Sequence, residues 1–266
     1  MNSCWISPKE AAAAILTGRG KGVKIAVLDS GIEASHPGLN GLSLSDDIAI
    51  IEDGFRLKSV PGEAKDVYGH GTAVAGIIRS AAPEAEIGSI RVLGESLASR
   101  TAIILEGARQ AIDRGYHILN CSLGCAVQEH VLKYKSWVDD AYLRNVHVVA
   151  ACNNRDASGV EWPGFFTSVL TVNMASVDAD ALLYKRGTLV EFAAQGVDVQ
   201  VLWRNNGAKK MTGSSFAAPR LTGMLACLLS VYPDLPPLQA KVLFHHLARP
   251  WSREITAPNE RREPRG

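Results

Sequence analysis

Three polar residues stand where parallel α/β folds collect reactive groups. Asp29 directly follows the apolar run 23–28, whereas His70 and Ser215 each stand among glycines at the predicted start of a helix. In open parallel sheets, functional side chains gather at the carboxyl edge of the strands. An acid, an imidazole and a hydroxyl are the groups that nucleophilic acyl transfer needs, because the imidazole takes the proton of the attacking hydroxyl and the acid orients the imidazole.

Each of the three residues has an ordinary structural explanation when it is considered alone. An Asp after a strand often forms a turn, and a Ser at the start of a helix is often its N-cap. A His beside glycines is more often structural than catalytic. Only the combination of the three in one chain points to catalysis.

The elements that must position these residues alternate along the chain. Short, continuously apolar runs predict buried strands, and apolar residues at helical spacing separate them. This alternation predicts an α/β fold with a mostly parallel sheet covered by helices on both faces. The predicted strands are 23–28, 86–93, 117–121, 146–151, 168–173, 189–193 and 197–203, and the predicted helices are 70–79, 100–114, 128–144, 215–231 and 238–247.

The composition indicates an ordinary globular chain and excludes several classes of function. The 266 residues are 47% hydrophobic and carry a net charge of +1, so no strong field favours nucleic acid or an anionic membrane. No apolar run approaches the roughly 20 residues of a membrane helix, and no signal peptide is visible at the N-terminus. Five widely spaced cysteines indicate a reduced chain, so the predicted location is cytoplasmic.

Each of the three residues stands in a distinctive local motif. The acid lies in Val27-Leu28-Asp29-Ser30-Gly31-Ile32, the histidine in Gly69-His70-Gly71-Thr72-Ala73-Val74-Ala75-Gly76, and the serine in Gly213-Ser214-Ser215-Phe216-Ala217-Ala218-Pro219. These motifs resemble those of one family, the subtilisin-like serine proteases or subtilases, and their order Asp, His, Ser is also the order in subtilisin.

The resemblance implies a three-layer subtilisin-like fold and a serine endopeptidase that forms an acyl-enzyme at Ser215. The catalytic residues are then Asp29, His70 and Ser215. The expected catalytic domain covers residues 20–250, with an N-terminal extension at 1–19 and a disordered tail at 251–266. The partner is a peptide or protein substrate bound in an extended conformation. No cofactor, metal, nucleic acid or membrane is expected.

The resemblance also suggests the residues that surround the scissile bond. Asn153 is the expected amide donor of the oxyanion hole, and the neighbouring Asn154 is its competitor. Gly164 is expected at the far wall of the first specificity pocket, where Arg155, Asp156 and Glu161 could bias the charge of the rim. The expected substrate-binding residues are Leu97, Ala98, Ser99, Ser122, Leu123 and Gly124.

The sequence departs from the family pattern at several positions. Ser214 stands where Thr is usual and Phe216 where Met is usual. Only 28 residues precede Asp29, which resembles either the intracellular, prodomain-free members or a trimmed mature form. Residues 78–86 are too short for the calcium loop of many relatives, so no calcium is predicted there. Cys121 and Cys152 are interpreted as small buried fillers, and the alternative is that oxidation near Asn153 blocks activity.

Two other functions remain open from the sequence. The cleft could hold a peptide without cutting it, as a pseudo-protease, or the acyl group could pass to an amine and give a cyclic product. Within the protease class, a narrow peptide or protein substrate, as in peptide maturation or regulatory proteolysis, fits an enzyme without a visible prodomain.

Overall fold

The computed structural model describes residues 5–251, which form twelve strands and six α-helices. The strands are β1 (Lys24–Asp29), β2 (Asp47–Asp53), β3 (Arg56–Pro61), β4 (Glu86–Arg91), β5 (Ile118–Cys121), β6 (His147–Ala151), β7 (Leu170–Ala175), β8 (Leu182–Tyr184), β9 (Phe192–Gln195), β10 (Val199–Trp203), β11 (Gly207–Met211) and β12 (Arg249–Pro250). The helices are α1 (Pro8–Thr17), α2 (His70–Ala81), α3 (Thr101–Asp113), α4 (Val131–Leu143), α5 (Ser214–Val231) and α6 (Pro237–Leu247).

Ten strands form one sheet in the order β12-β8-β9-β7-β6-β5-β1-β4-β2-β3. Only β2–β3 and β8–β9 pair antiparallel in this sheet, which confirms the predicted mostly parallel arrangement. Strands β10 and β11 form a separate hairpin. Strand β1 lies between β4 and β5, so the chain continues to one side of β1 and then to the other, which is where open α/β sheets place their sites.

Two hydrophobic layers cover the two faces of the sheet. One layer contains buried residues of α1, α2, α5 and α6, and the other contains buried residues of α3 and α4. The three-layer α/β architecture expected from the sequence is therefore confirmed.

Helix α5 carries the serine motif into the centre of the protein. It is 18 residues long and apolar enough, by length and composition, to cross a membrane, although the sequence analysis expected no such segment. However, 78% of its residues are buried inside the protein, where they pack against the sheet and against α2. Its apolar character is explained by this position in the core.

The described part of the N-terminal extension expected at residues 1–19 packs against the body of the protein. Residues 8–17 form α1, and Ser7 and Glu10 cap its N-terminus with reciprocal hydrogen bonds. Ala11 and Ala14 are buried in the core layer beside α5. The missed signal is the capping box, Ser7 followed three residues later by Glu10, which marks the start of a helix.

The sequence analysis also missed β2, β3, β8, β11 and β12, which lie at the edges of the main sheet or in the separate hairpin. Strands β3 and β11 are half-exposed and lack the continuous apolar runs of central strands. Strands β2 and β8 do contain short apolar runs, at 48–51 and 182–184, which the sequence analysis did not recognise as strands. At the other end, Trp251 packs against the body and its N–H donates to the Tyr184 carbonyl at 2.8 Å, so it is not part of a disordered tail. Residues 252–266 of the predicted tail lie outside the described residues.

Candidate active site

The carboxyl ends of three neighbouring strands bring the predicted site residues to one edge of the sheet. Asp29 ends β1, Ser122 follows β5, and Cys152 follows β6. Helices α2 and α5 begin at the same place, and His70 and Ser215 are the first and second residues of these helices. The predicted acid, imidazole and hydroxyl therefore converge although they are far apart in sequence.

Asp29 and His70 form a buried, hydrogen-bonded pair. Nδ1 of His70 lies 2.8 Å from both carboxylate oxygens of Asp29, and the two residues are 6% and 0% exposed. This contact requires α2 to approach β1 closely, and Gly71 makes that approach possible. A Cβ at position 71 would lie 2.0 Å from the Gly31 carbonyl oxygen.

A second buried carboxylate, that of Asp66, holds this pair in place. Asp66 Oδ1 accepts hydrogen bonds from the Ser30 hydroxyl at 2.7 Å and the Gly69 N–H at 2.6 Å. Its Oδ2 accepts from the N–H and the hydroxyl of Thr72 at 2.8 and 2.7 Å. Asp66 thereby joins the end of β1 to the first turn of α2. The sequence analysis missed this residue, although an Asp shortly before a predicted helix is a capping signal.

The charge around His70 changes its proton affinity. Burial alone lowers the pKa of an imidazole, but the charge of Asp29, its hydrogen bond and the charge of Asp66 outweigh burial, so the pKa of His70 is raised above 6.5. A neutral imidazole, the form that can accept a proton, consequently predominates only at a pH above the ordinary range for histidine.

Ser215 lies in the same cleft as His70. Its Oγ donates to the Ser122 carbonyl at 3.4 Å rather than to His70, and the Ser122 hydroxyl donates to the Ser215 carbonyl at 3.0 Å. Catalytic hydrogen bonds are often long or misdirected before substrate binds. A rotation of the Ser215 hydroxyl about its Cα–Cβ bond is the kind of adjustment that would redirect it.

The segment after β6 contains both asparagines considered for the oxyanion hole. Asn153 Nδ2 donates one hydrogen bond to Glu161 Oε1 at 2.9 Å and its Oδ1 accepts from the N–H of Arg155 at 2.8 Å, so these bonds orient its carboxamide toward Glu161. Asn154, the competitor in the sequence analysis, contacts the serine motif directly. Its Oδ1 accepts from the N–H of Ser214 at 2.7 Å.

The two predicted substrate-binding segments line one cleft of about 780 Å³ together with His70 and Ser215. All six predicted residues line it, namely Leu97, Ala98, Ser99, Ser122, Leu123 and Gly124. Ser122 and Leu123 are buried, while Ala98, Ser99 and Gly124 are exposed. The cleft is therefore a half-open groove to which both predicted segments contribute.

Gly164, expected at the far wall of the first specificity pocket, is buried and is not among the residues that line this cleft. A Cβ at position 164 would lie 3.0 Å from Thr171 Cγ2 and 3.1 Å from the Ala151 carbonyl oxygen, so a larger side chain has no room there. Glu161 lies beside the cleft residue Gly124, because its Oε2 would be 2.7 Å from a Cβ placed on that glycine.

The unusual residues of the serine motif make specific contacts. The Ser214 hydroxyl donates to the Cys152 carbonyl at 2.7 Å, which a threonine hydroxyl could also do. The ring of Phe216 packs on the ring of His70, with centroids 5.4 Å apart. Burial raises the pKa of both Cys121 and Cys152 to about 12, so these thiols are unreactive and fit the interpretation as fillers.

Metal binding has no visible basis in the part of the chain that the structure describes. No group of three or more His, Cys, Asp or Glu side chains there could hold an ion. The absence of calcium between α2 and β4 remains a prediction, since a loop of this length supplies too few oxygen ligands.

Asp66→Asn should lower the pKa of His70, because it removes a carboxylate charge that favours the imidazolium. It should also lower the free energy of unfolding by about 1–3 kcal/mol, since an amide nitrogen replaces one acceptor of Thr72. Titration of the His70 ring by NMR measures the first effect and urea denaturation the second. Asp53→Asn, at an exposed and distant site, is the control, and an unchanged or higher pKa of His70 in Asp66→Asn would contradict this account.

Comparison with known proteins identifies the family. The family model described as "Subtilase family" matches residues 20–262. The chain is 32% identical over 234 residues both to M-protease of Shouchella clausii (strain KSM-K16) and to Subtilisin Savinase of Lederbergia lenta, and 84% of the chain is aligned. It spans 58% of the length of M-protease and 81% of that of Savinase.

A solved structure gives the same result for the fold. The chain resembles the crystal structure of a cold adapted subtilisin-like serine proteinase with a TM-score of 0.70 and 26% identity, over 85% of this chain and 82% of that one. The geometry, the family model and the relatives agree. The chain belongs to the subtilase family and is a subtilisin-like serine endopeptidase domain.

Proposed function

We propose that this domain hydrolyses peptide bonds through Asp29, His70 and Ser215 acting as a catalytic triad. The observation that carries the proposal is the buried Asp29–His70 pair at the edge of a cleft that also contains Ser215. A buried carboxylate on Nδ1 fixes the tautomer in which Nε2 is free to accept a proton.

The reaction follows from these positions. The Ser215 oxygen attacks the peptide carbonyl carbon while His70 Nε2 takes the hydroxyl proton, and the carbonyl π electrons move onto the oxygen. Collapse of this intermediate breaks the C–N bond, and His70 returns the proton to the leaving amine. Water then attacks the acyl-enzyme by the same route and releases the acid. Asp29 stabilises the imidazolium in both halves.

The oxyanion of the intermediate requires donors beside Ser215. We assign the Asn154 amide and the Ser215 backbone N–H to this role. The bond from the Ser214 N–H to Asn154 Oδ1 holds the Asn154 carboxamide beside the serine motif and leaves its NH₂ group available. A donor that is already oriented is effective because it needs no reorganisation as charge develops.

The half-open groove suits a substrate in an extended conformation. Segments 97–99 and 122–124 both line the cleft, and a peptide lying between them would pair with their backbone groups as an added strand. Main-chain pairing would supply affinity, and the side-chain pockets would supply selectivity.

The pseudo-protease alternative is weakened by the contacts of the unusual motif residues. The Ser214 hydroxyl bonds to the Cys152 carbonyl, and the Phe216 ring packs against the His70 ring. Both contacts are compatible with an active site. Transfer of the acyl group to an amine stays a weaker alternative, because exposed residues such as Ala98 and Gly124 leave the cleft open to water.

We further propose a defined peptide or protein substrate and a cytoplasmic location. The four cysteines within residues 5–251 are unpaired thiols, which suits a reducing compartment. Digestion of unfolded casein as fast as any defined peptide would contradict a narrow substrate. Recovery of the protein outside the cytoplasmic fraction would contradict the location.

The triad proposal predicts that a fluorophosphonate probe labels the wild type and not Ser215→Ala. Cleavage of a diverse peptide library, read by mass spectrometry, should give products from the wild type alone. Thr17→Ala, an exposed change in α1 far from the cleft, serves as the control and should react like the wild type. Equal cleavage by Ser215→Ala would reject the proposed nucleophile, and cleavage by neither protein would favour the pseudo-protease.

The oxyanion assignment distinguishes two adjacent asparagines. Asn154→Ala should lower kcat by about 10²–10³ with little change in KM, a magnitude measured on subtilisin itself for loss of such a donor. Asn153→Ala should lower kcat much less, because its amide binds Glu161 and the backbone of Arg155. Steady-state kinetics on one peptide decides between them, and a larger loss in Asn153→Ala would reverse the assignment.

A further inference from the structure

Beside Gly124, which lines the cleft, lies the carboxylate of Glu161, a negative charge that the reaction itself does not use. Glu161 belongs to the segment that pairs with the end of the substrate-binding strand. The Cys125 N–H donates to the Trp162 carbonyl at 2.9 Å, and the Trp162 N–H donates back to Cys125 at 2.9 Å. This pair of backbone bonds holds Glu161 at a fixed position relative to Gly124.

The carboxylate of Glu161 lies over the glycine of the cleft. A Cβ on Gly124 would meet Glu161 Oε2 at 2.7 Å and Cδ at 3.1 Å. The carboxylate therefore occupies space that is free only because Gly124 has no side chain. Any larger residue at position 124 would displace the Glu161 carboxylate.

Only one of the two carboxylate oxygens is engaged. Asn153 Nδ2 donates to Oε1 at 2.9 Å and so orients the group, whereas Oε2 accepts no hydrogen bond from any residue between 5 and 251. In the same described range, no Lys, Arg or His lies within ion-pair distance of Glu161. Arg155, in the same loop, is exposed and does not pair with it.

A half-buried carboxylate without a cation is unfavourable on its own. Burial raises the pKa of Glu161, and the hydrogen bond from Asn153 offsets this effect in part. A positively charged group on a ligand would stabilise this carboxylate, because a charge-assisted hydrogen bond would replace the water contacts that burial removes. The site is therefore complementary to a positively charged group.

The position of Glu161 relative to the nucleophile fits the reach of a long side chain. Ser215 Oγ contacts the carbonyl of Ser122. Gly124 lies two residues further along this extended segment, a span of about 6–7 Å. Lysine and arginine carry their charge at the end of an apolar stem of similar length, which can lie along the wall of the slot.

We propose that Glu161 selects a lysine or arginine side chain on the residue that supplies the scissile carbonyl. This inference rests on the proposed protease function and adds the substrate class. Glu161 is a specificity-determining residue that touches the substrate, and Asn153 is the positioning residue that orients its carboxylate.

The test compares two peptides that differ only in the charge at that residue, one with lysine and one with norleucine, which has the same stem without the ammonium. The wild type should show a higher kcat/KM for lysine by about 10–100-fold, the range of a charge-assisted hydrogen bond. Glu161→Gln should remove most of this preference, and Glu161→Lys should favour a glutamate peptide instead.

Asp156→Asn is the matched control, since it removes a carboxylate from the same loop at an exposed position. It should leave the lysine-to-norleucine ratio unchanged. Equal cleavage of the two peptides by the wild type, or an equal loss of preference in Asp156→Asn and Glu161→Gln, would overturn the inference.

Two further measurements separate this inference from the proposed function. Fluorophosphonate labelling of Glu161→Gln at the wild-type rate shows that the variant is folded with an intact nucleophile. Fluorescence anisotropy gives the affinity of the inactive Ser215→Ala variant for each of the two peptides, and so measures the preference of the pocket without catalysis. Tighter binding of the lysine peptide supports the inference even where turnover fails, and equal binding of both peptides rejects it.

Discussion

The buried contact between Asp29 and His70 is the constraint on which the rest of the site depends. A carboxylate with no exposed surface is costly unless donors surround it, and here the imidazole and the Ser30 N–H at 2.7 Å supply them. The contact forces the first turn of α2 onto the end of β1. Only a glycine at position 71 permits this approach, because any Cβ would collide with the Gly31 carbonyl.

Around this contact, further long-range hydrogen bonds and the order of the strands place the other groups of the site. Asp66 ties β1 to α2, and the parallel strands β5 and β6 end beside β1, so that the segments following them become the walls of the cleft. Helix α5, buried in the core, presents Ser215 at its first turn. The position of the nucleophile is thus determined by core packing rather than by a mobile loop.

The sequence predicts the sheet and the convergence of the three motif residues well, for a physical reason. Central parallel strands are buried on both faces and leave continuous apolar runs, and the reactive residues directly follow such runs or begin helices. The edge strand β3 is exposed along most of its length, so its pattern is weak, whereas β2 was missed although residues 48–51 form a short apolar run. Helix α1 was missed although its cap is visible in the sequence.

The sequence predicts the loops of the cleft less well, because hydrogen bonds formed only in the folded chain decide which side chain faces the substrate. Asn153 and Asn154 are identical in type and adjacent, and only the contact of one with Glu161 and of the other with Ser214 separates them. The position of Glu161 beside Gly124 likewise depends on the folded path of the loop, which the sequence does not specify. Asp66 belongs to none of the three motifs, and its role is identified only by the five hydrogen bonds that its carboxylate accepts in the folded protein.

The central claim is that Asp29, His70 and Ser215 act as one unit, and a mutant cycle in kcat tests it most directly. His70→Ala, Ser215→Ala and the double variant should be compared on one peptide. The account predicts that the double variant loses no more activity than Ser215→Ala alone, as measured for the triad of subtilisin itself. If the two single losses multiply instead, the residues contribute independently and the account is contradicted.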